Sequence, residues 1–336
     1  MAEIEATLKD LYGRAPDDAE FPGGRSRKSH IYHFGDLKVV ASRRKSRGRA
    51  ALEAEVLRRL GDSGLVPKLI HHLDEVIVQE FVPGTRLTVR LNESRDDVVA
   101  RLMQTALASL AAIHRAADRT GLTGVVPLLG ADPEWIGALK NAPHALADEL
   151  EIACPDYDFG DGLEADPNGG PTFTKWDARP ANAMVRDDGQ ICWFDWEHAG
   201  RRRSIDDAAW LLGDEWSPDL GDAEASVLAY MPVVAPGGPA RQAFLAFGVA
   251  HSIMRLRLIM GRYRKKGWAE QAVALKFDRI GVNPANTRVM TARAGRWAGE
   301  LPGLEPLVEF FQAVDAKIAS YDTVSEAAMQ EAARGD

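Results

Sequence analysis

The hydrophobic periodicity of the chain changes at Pro83-Gly84, and this change limits the folds that the chain can adopt. Before it, residues 20–44 contain a glycine pair, two runs of strand-forming residues and a Gly35-Asp36 turn between them, which predicts a β-hairpin. After it, residues 96–118 carry apolar side chains at helical spacing. The pattern predicts an α+β, bilobal fold, with a small β-rich N-lobe over residues 1–83 and a large, mainly helical C-lobe over residues 84–336.

The other periodic segments agree with this division. The segment "RAALEAEVLRRLGDSG" (49–64) has helical spacing and ends in a glycine, and "DEVIVQEFVPG" (74–84) reads as a short strand that ends at Pro-Gly. From Ala208 onward the pattern is mainly helical. The chain has no internal repeat that would predict a solenoid.

Length and charge exclude several classes of protein. At 336 residues, the chain is too long for a single small binding module. Its formal charge of −8 argues against a dedicated nucleic-acid binder. The N-terminal segment is acidic and amphipathic with no apolar run, so we expect no leader peptide. No window holds about 18 consecutive apolar residues, so we expect no membrane partner. The two cysteines are too few for a disulfide framework, and a cytoplasmic location is expected.

Two neighbouring segments carry the residue types that phosphoryl transfer requires. These are "FTKWDARPANAMV" (173–185) and "ICWFDWEHAG" (191–200). Transfer from ATP needs a carboxylate to orient the accepting hydroxyl, oxygen ligands for Mg²⁺ and cations for the moving charge. Asp177 and Asn182 have the D-x-x-x-x-N spacing of a kinase catalytic loop, and Asp195 follows the next strand as a metal-binding aspartate would.

The two segments resemble the aminoglycoside phosphotransferase and choline kinase family, which shares the protein-kinase-like fold. The usual loop of that family reads roughly H-G-D-x-x-P-x-N and is followed by I-D-W-E. The segment "QEFVPG" (79–84) is similar to the family's hinge, "LASLAAIHRA" (107–116) to its first large-lobe helix, and "DDAAWLL" (206–212) to the helix after the metal-binding turn. The resemblance covers about residues 20 to 212.

The resemblance implies roles for individual residues. Asp177 is expected to be the catalytic base, and Asn182 and Asp195 are expected to bind Mg²⁺. The hinge from Glu80 to Val82 is expected to bind the adenine of ATP. The basic turn at 23–28, which includes Gly24, is expected to lie over the phosphates together with the neighbouring Ser29. Glu53 is expected to pair with a phosphate-gripping cation from the preceding strand.

Two positions depart from the pattern of the family. The strand "LKVVASRR" (37–44) lacks the expected lysine, and Arg43 is the substitute favoured here, although its side chain could equally face solvent. Lys175 and Trp176 stand where the family has His and Gly. Lys175 would lower the basicity of Asp177 or bind phosphate, and it also allows weak or lost catalysis. Arg179, two residues after the proposed base, is positioned to contact the transferring phosphate.

The function that the resemblance implies is ATP-dependent and Mg²⁺-dependent phosphorylation of a small-molecule hydroxyl. The alternative is a nucleotide-binding pseudokinase that acts as a sensor or scaffold. The acceptor stays open among aminoglycosides, amino alcohols, sugars and other metabolites, because a fold does not determine a substrate. Its charge is also open, since arginines at 255–264 would suit an anion and the acidic loop at 156–166 a polyamine. Neither the oligomeric state nor a preference for ATP over GTP follows from the sequence.

Overall fold

The computed structural model describes residues 2–22, 24–25, 27–166, 169–277 and 283–334. The chain forms two compact units. Unit 1 comprises Met1–Leu129, Gly170–Asp207 and Lys276–Asp278, and unit 2 comprises Gly130–Gly169, Ala208–Leu275 and Arg279–Asp336. The lobe boundary after residue 83 stays a prediction.

The strands belong to three antiparallel sheets. The strands are β1 (Asp18–Glu20), β2 (Ser29–Phe34), β3 (Leu37–Arg43), β4 (Leu69–Leu73), β5 (Val76–Glu80), β6 (Thr85–Arg86), β7 (Thr172–Thr174), β8 (Ala183–Val185), β9 (Ile191–Trp193) and β10 (Gly200–Arg202). The largest sheet has the order β1-β2-β3-β5-β4, and the small sheets have the orders β6-β8-β9 and β10-β7. The predicted hairpin is confirmed as β2 and β3, which are paired from Ser29↔Ser42 to Phe34↔Leu37.

Helices make up most of the chain after the first sheet. They are α1 (Ala2–Tyr12), α2 (Arg47–Leu60), α3 (Leu87–Glu93), α4 (Asp96–Arg119), α5 (Pro133–Lys140), α6 (Ala142–Leu150), α7 (Ile205–Gly213), α8 (Glu224–Leu228), α9 (Arg241–Lys266), α10 (Gln271–Phe277), α11 (Pro284–Gly299) and α12 (Leu307–Arg334). An N-terminal antiparallel sheet followed by a mainly helical part confirms the predicted α+β fold.

One face of the five-stranded sheet is covered by α1. Ile4 and Leu8 pack into a buried cluster with Val39 and Ala41 of β3 and with Val78 of β5. Because side chains alternate along a strand, this packing assigns the odd-numbered residues of β3 to the α1 face. Ser42, which is buried and lies between Ala41 and Arg43, must therefore point to the opposite face of the sheet.

The opposite face receives α2, which contacts both β4 and β5. Ser46 caps the start of α2, since its hydroxyl accepts a hydrogen bond from the Arg49 N–H. The buried side of α2 consists of alanines, valine and leucines, with the single exception of Glu53. A carboxylate on an otherwise apolar helix face requires a partner of opposite charge.

In unit 2, α9 packs against α5, α6 and α11, and α11 packs against α12. By length and composition, α9 could cross a membrane, but 83% of its most apolar window is buried inside the protein. This burial is the behaviour of a core helix, which buries residues such as Phe244, Phe247 and Ile253 on several sides.

Gly84 allows the chain to pass close to β8 at the point where its periodicity changes. Its φ of +136° is accessible to glycine, and a Cβ there would lie 2.2 Å from the Val185 carbonyl oxygen.

We expect Gly84→Ala to lower the free energy of unfolding by about 2 to 4 kcal/mol, because it combines a strained backbone with a clash against backbone atoms. Urea denaturation measures this loss. Gly189→Ala is the matched control, because Gly189 also has a positive φ (+82°) but its Cβ would meet no atom within 4 Å. The control should lose only about 1 kcal/mol. Equal losses in the two variants would show that the contact with Val185 is unimportant.

Candidate active site

The loop after β7 carries Asp177 in a conformation that the chain must be forced to adopt. Trp176 and Asp177 have φ values of +54° and +49°, which are unfavourable for residues other than glycine. The carboxylate of Asp207 holds this loop, because its Oδ2 accepts from the Lys175 N–H at 2.8 Å and its Oδ1 from the Trp176 N–H at 2.9 Å. Asp207 is fully buried in the first turn of α7. These bonds stabilise the strained loop.

His114 completes this support. Its Nε2 lies 2.8 Å from Asp207 Oδ2, and both side chains are buried. This buried contact gives His114 a structural role, since it positions the carboxylate that holds the loop. Its partner Asp207 was not recognised as functional, because the two residues lie 93 positions apart in the chain.

Asn182 links the proposed base to the metal-binding segment. It ends the 3₁₀ turn Pro180–Asn182, and its Nδ2 donates at 2.9 Å both to the Asp177 backbone oxygen and to Asp177 Oδ2. The side-chain nitrogen is therefore engaged with Asp177, which makes the amide oxygen the atom suited to a metal ion. Asp177 and Asn182 are thus brought together as predicted.

Asp195 is brought to the same place by the pairing of β8 with β9. Ala183 lies opposite Trp193. The N–H of Phe194, one residue before Asp195, donates to the backbone oxygen of Asn182 at 3.0 Å. Asp195 has a φ of +60° and a side chain that is 34% exposed. The short hairpin therefore sets Asn182 and Asp195 side by side at its end.

The cation that pairs with Glu53 is Arg44. The Arg44 Nη2 donates to Glu53 Oε1 at 2.7 Å, Nε donates to Oε2, and Nη1 lies 3.1 Å from Asp195 Oδ1. Burial opposes the charge of Arg44, but Glu53 and Asp195 outweigh this effect and hold its pKa above the usual value. Burial in turn raises the pKa of Glu53, and the Arg44 charge opposes that rise. Glu53 therefore pairs with a cation, as predicted, but this cation is Arg44 and not Arg43.

The prediction that Arg43 fills this role is wrong. Arg43 is 54% exposed and pairs with Glu3 of α1 at 2.8 Å. The physical reason is strand alternation, because Arg43 shares the α1 face with Val39 and Ala41 while Ser42 and Arg44 face α2. The sequence did contain a signal for this choice, because the N-terminal helix is amphipathic and its apolar side must pack against one face of the sheet. That face carries Ala41 and therefore also Arg43.

Lys175 is buried beneath the turn that carries Asp195. Its side chain has no exposed surface, its Nζ donates to the Asp195 backbone oxygen at 3.0 Å, and it lies 4.8 Å from the centre of the Trp196 ring. Burial lowers the pKa of Lys175, and the carboxylates of Asp177 and Asp195 act in the opposite direction. A fully buried ammonium group cannot touch a substrate phosphate, so the expected phosphate contact is corrected. Lys175 instead positions the turn that carries Asp195.

Glu197 connects the basic turn before β2 to the metal-binding turn. Its Oε1 lies 2.9 Å from Lys28 Nζ and 3.7 Å from Arg44 Nη1, and its Oε2 lies 3.4 Å from Arg49 Nη1. The side chain is 5% exposed, and its pKa is lowered because these cations outweigh the effect of burial. The sequence alone does not identify Lys28 or Arg49 as partners of Glu197, since they lie 169 and 148 positions away in the chain.

The residues expected to bind ATP lie along the first sheet. Gly24 has a φ of +95°. Its N–H donates to the Phe21 backbone oxygen, and its backbone oxygen accepts from the Arg27 N–H. Gly23 and Ser26 of the same turn lie outside the described residues. Ser29 is exposed at the start of β2. The roles of Gly24 and Ser29 at the phosphates stay predictions.

The hinge follows β5 directly. Glu80 ends this strand, and its backbone and carboxylate bind the backbone of Lys68. Val82 is buried, yet neither its N–H nor its carbonyl hydrogen-bonds to another residue in the described part of the chain. The role of the hinge in binding adenine stays a prediction.

Arg179 lies at the entrance to the 3₁₀ turn and is 9% exposed. Its backbone oxygen accepts from the Asn182 N–H at 2.9 Å, which closes the turn between Asp177 and Asn182. Contact between its guanidinium group and a phosphate stays a prediction.

The donor set suits one magnesium ion carried in with a nucleotide. Among the described residues, no three or more His, Cys, Asp or Glu side chains form a metal-binding group. Mg²⁺ in nucleotide sites needs only one or two protein oxygens, because phosphates and water supply the others. The amide oxygen of Asn182 and the partly exposed carboxylate of Asp195 meet that requirement.

The sequence matches a known family over most of this region. Residues 25–242 match the family described as APH, phosphotransferase enzyme family. The chain belongs to this phosphotransferase family. The match contains the residues from Lys28 to Asp207 that are discussed above, and it begins one residue after Gly24. A search of the curated proteins finds no match.

Solved structures agree with this phosphotransferase fold. A proposed aminoglycoside phosphotransferase from Ralstonia eutropha is 14% identical with a TM-score of 0.53, and the match covers 88% of this chain and 98% of that one. The GDP complex of an aminoglycoside 2′-phosphotransferase is 16% identical with a TM-score of 0.54, covering 79% and 93%. The gentamicin complex of APH(2″)-IIa is 17% identical with a TM-score of 0.51, covering 79% and 92%. At these identities the matches show the fold.

We expect Arg44→Ala to destabilise the phosphotransferase by about 3 to 5 kcal/mol, because it leaves the Glu53 carboxylate buried without a counter-charge. Arg43→Ala is the matched control and should cost about 0 to 1 kcal/mol, since it breaks a solvent-exposed ion pair. Chemical denaturation of both variants gives the comparison.

The double variant Arg44→Met/Glu53→Leu removes both charges from the same place. It should recover part of the loss, because an apolar pair replaces the buried Arg44–Glu53 pair, whereas Asp195 and Glu197 still lose a neighbouring cation. A double variant as unstable as Arg44→Ala would contradict the ion-pair explanation.

Proposed function

We propose that the protein transfers the γ-phosphate of ATP to a hydroxyl group of a small molecule in an Mg²⁺-dependent reaction. The observation that carries this proposal is the hydrogen bond from Asn182 Nδ2 to Asp177 Oδ2 at 2.9 Å. It fixes a carboxylate beside an amide whose oxygen suits a metal, at the end of the hairpin that also carries Asp195. Base and metal ligands of a kinase need this proximity.

Nucleotide binding is supported by the hinge. A purine presents a donor and an acceptor along one edge, and the unpaired backbone groups of buried Val82 are complementary to such an edge. The strand β5 that ends at Glu80 shares a sheet with β3, which leads into Arg44. The base and the phosphates would therefore contact neighbouring strands. The GDP bound by one relative of the same fold is in keeping with a nucleotide site.

The residues of this chain divide the chemistry among them. Asp177 accepts a hydrogen bond from the acceptor hydroxyl, orients it for in-line attack and takes its proton as the new O–P bond forms. The bond between the γ-phosphorus and the β–γ bridging oxygen breaks in the same step, and ADP leaves with that oxygen. When bound through Asn182 and Asp195, Mg²⁺ would neutralise the phosphate oxygens. Arg44, which stays ionised and has fixed partners, stabilises the charge on the nucleotide.

The structure weakens one suggestion about the acceptor. Arg255 is paired with Glu215, and Arg257 and Arg264 are both paired with Glu149. Arginines that are already neutralised by glutamates contribute little attraction for an anionic acceptor. Three of the four arginines of this stretch are thus paired, with Arg262 the fourth, and the proposal therefore favours a neutral or cationic hydroxyl compound, which includes amino alcohols and aminoglycosides.

Asp177→Asn should lower kcat by about 10²- to 10⁴-fold while the affinity for ATP changes little, because a general base acts only in the chemical step. The measurement is ADP release with Mg²⁺-ATP across a panel of aminoglycosides, amino alcohols and sugars, with nucleotide affinity determined separately. Asp188→Asn is the control, because Asp188 is an exposed carboxylate of the turn between β8 and β9. It should retain full turnover.

Equal turnover in Asp177→Asn and in the wild type would remove Asp177 from the mechanism. Tight nucleotide binding without ADP release for any hydroxyl compound would instead favour the pseudokinase alternative, in which the fold serves as a nucleotide sensor.

A further inference from the structure

The guanidinium group of Arg44 lies against one carboxylate oxygen of Asp195, the proposed metal ligand. Its Nη1 lies 3.1 Å from Asp195 Oδ1, and this oxygen is buried and makes no hydrogen bond in the described part of the chain. The Nε and Nη2 atoms of Arg44 both donate to Glu53. The guanidinium group therefore cannot turn away from Asp195 without breaking a buried ion pair. Asp195 therefore has Oδ2 as its readily available oxygen.

Kinase sites that hold two magnesium ions place both between the aspartate and the asparagine of the catalytic segments. Each ion needs oxygen ligands in near-ideal octahedral geometry, and two close ions require both oxygens of the shared aspartate or additional carboxylates. In this chain, one oxygen of Asp195 faces a fixed cation. A second divalent ion at that oxygen would be repelled by the guanidinium group.

We propose that the site binds a single divalent cation with its nucleotide, and that the guanidinium group of Arg44 takes the place of the second ion. This inference rests on the proposed function. Arg44 suits the role because it is planar, permanently charged and held by Glu53 in one orientation. It carries one positive charge where a metal would carry two, and it needs no ligands from the nucleotide to remain in place.

The neighbouring carboxylate does not offer a substitute ligand. Both oxygens of Glu197 contact cations, Oε1 with Lys28 and Oε2 with Arg49. Buried Lys175 adds a further positive charge next to Asp195 through its bond to the backbone oxygen. The buried Arg44 and Lys175, together with the more exposed Lys28, therefore place positive charge near the turn that carries Asp195, and they supply charge that a second metal would otherwise provide.

The test counts metal ions directly instead of measuring turnover. Mn²⁺ binds the same oxygen ligands as Mg²⁺ and is detected by electron paramagnetic resonance. The full-length protein is titrated with Mn²⁺ in the presence of a saturating, non-hydrolysable ATP analogue, and bound analogue is measured in the same samples. The wild-type protein should bind one Mn²⁺ per bound nucleotide. Two Mn²⁺ per bound nucleotide would overturn the inference.

Arg44→Lys tests the cause. Lysine replaces the three-nitrogen fork of the guanidinium group by a single nitrogen. When that nitrogen pairs with Glu53, no second nitrogen fills the position of Nη1 beside Asp195 Oδ1, so this oxygen becomes available and the count should rise to two. Arg43→Lys is the matched control, because Arg43 contacts Glu3 on the other face of the sheet, and its count should stay at one. A count of one in Arg44→Lys, with nucleotide still bound, would show that Arg44 does not exclude the second ion.

The two levels of the proposal fail in different ways. Nucleotide retained with two Mn²⁺ in the wild type contradicts the single-ion inference and leaves the kinase proposal intact. Absence of nucleotide binding by the folded wild-type protein contradicts the proposed function and this inference together. If Arg44→Lys does not fold, the wild-type count alone decides.

Discussion

The buried guanidinium group of Arg44 is the contact on which the site depends. It leaves the end of β3, binds both oxygens of Glu53 on α2, and reaches Asp195 after β9. One side chain, which is 5% exposed, thereby joins β3, α2 and the turn that carries Asp195. A buried ion pair contributes little net stability compared with an apolar pair, but breaking it is costly. Because Arg44 joins three elements, moving any one of them away would leave a buried charge without its partner.

A second constraint acts on the catalytic loop. Trp176, Asp177 and Asp195 all have left-handed backbone conformations, each costing on the order of 1 to 3 kcal/mol. Asp207 offsets part of this cost through two hydrogen bonds to the loop backbone, and Lys175 supports the Asp195 backbone from below. Strain held in place by buried partners is expected where side chains must be presented at fixed angles to a substrate.

The sequence predicts the parts of this site whose geometry is local. Asp177 and Asn182 are five residues apart in one turn, and Asp195 follows a strand that pairs with the strand after Asn182, so their proximity follows from short-range structure. The choice between Arg43 and Arg44 depends instead on which sheet face α1 covers. The burial of Lys175 and the pairing of Glu197 with Lys28 depend on contacts between distant segments. Periodicity indicates that an element exists, whereas tertiary packing decides which side of it faces the site.

The central claim is that Asp195, held by Arg44, provides a metal ligand for a bound nucleotide. Its most direct test is the affinity for ADP, measured calorimetrically with Mg²⁺ and with EDTA in the wild type and in Asp195→Asn. The account predicts that Mg²⁺ tightens ADP binding to the wild type and that most of this gain disappears in Asp195→Asn, while the affinity in EDTA is not weakened. An equal Mg²⁺-dependent gain in both proteins would contradict it.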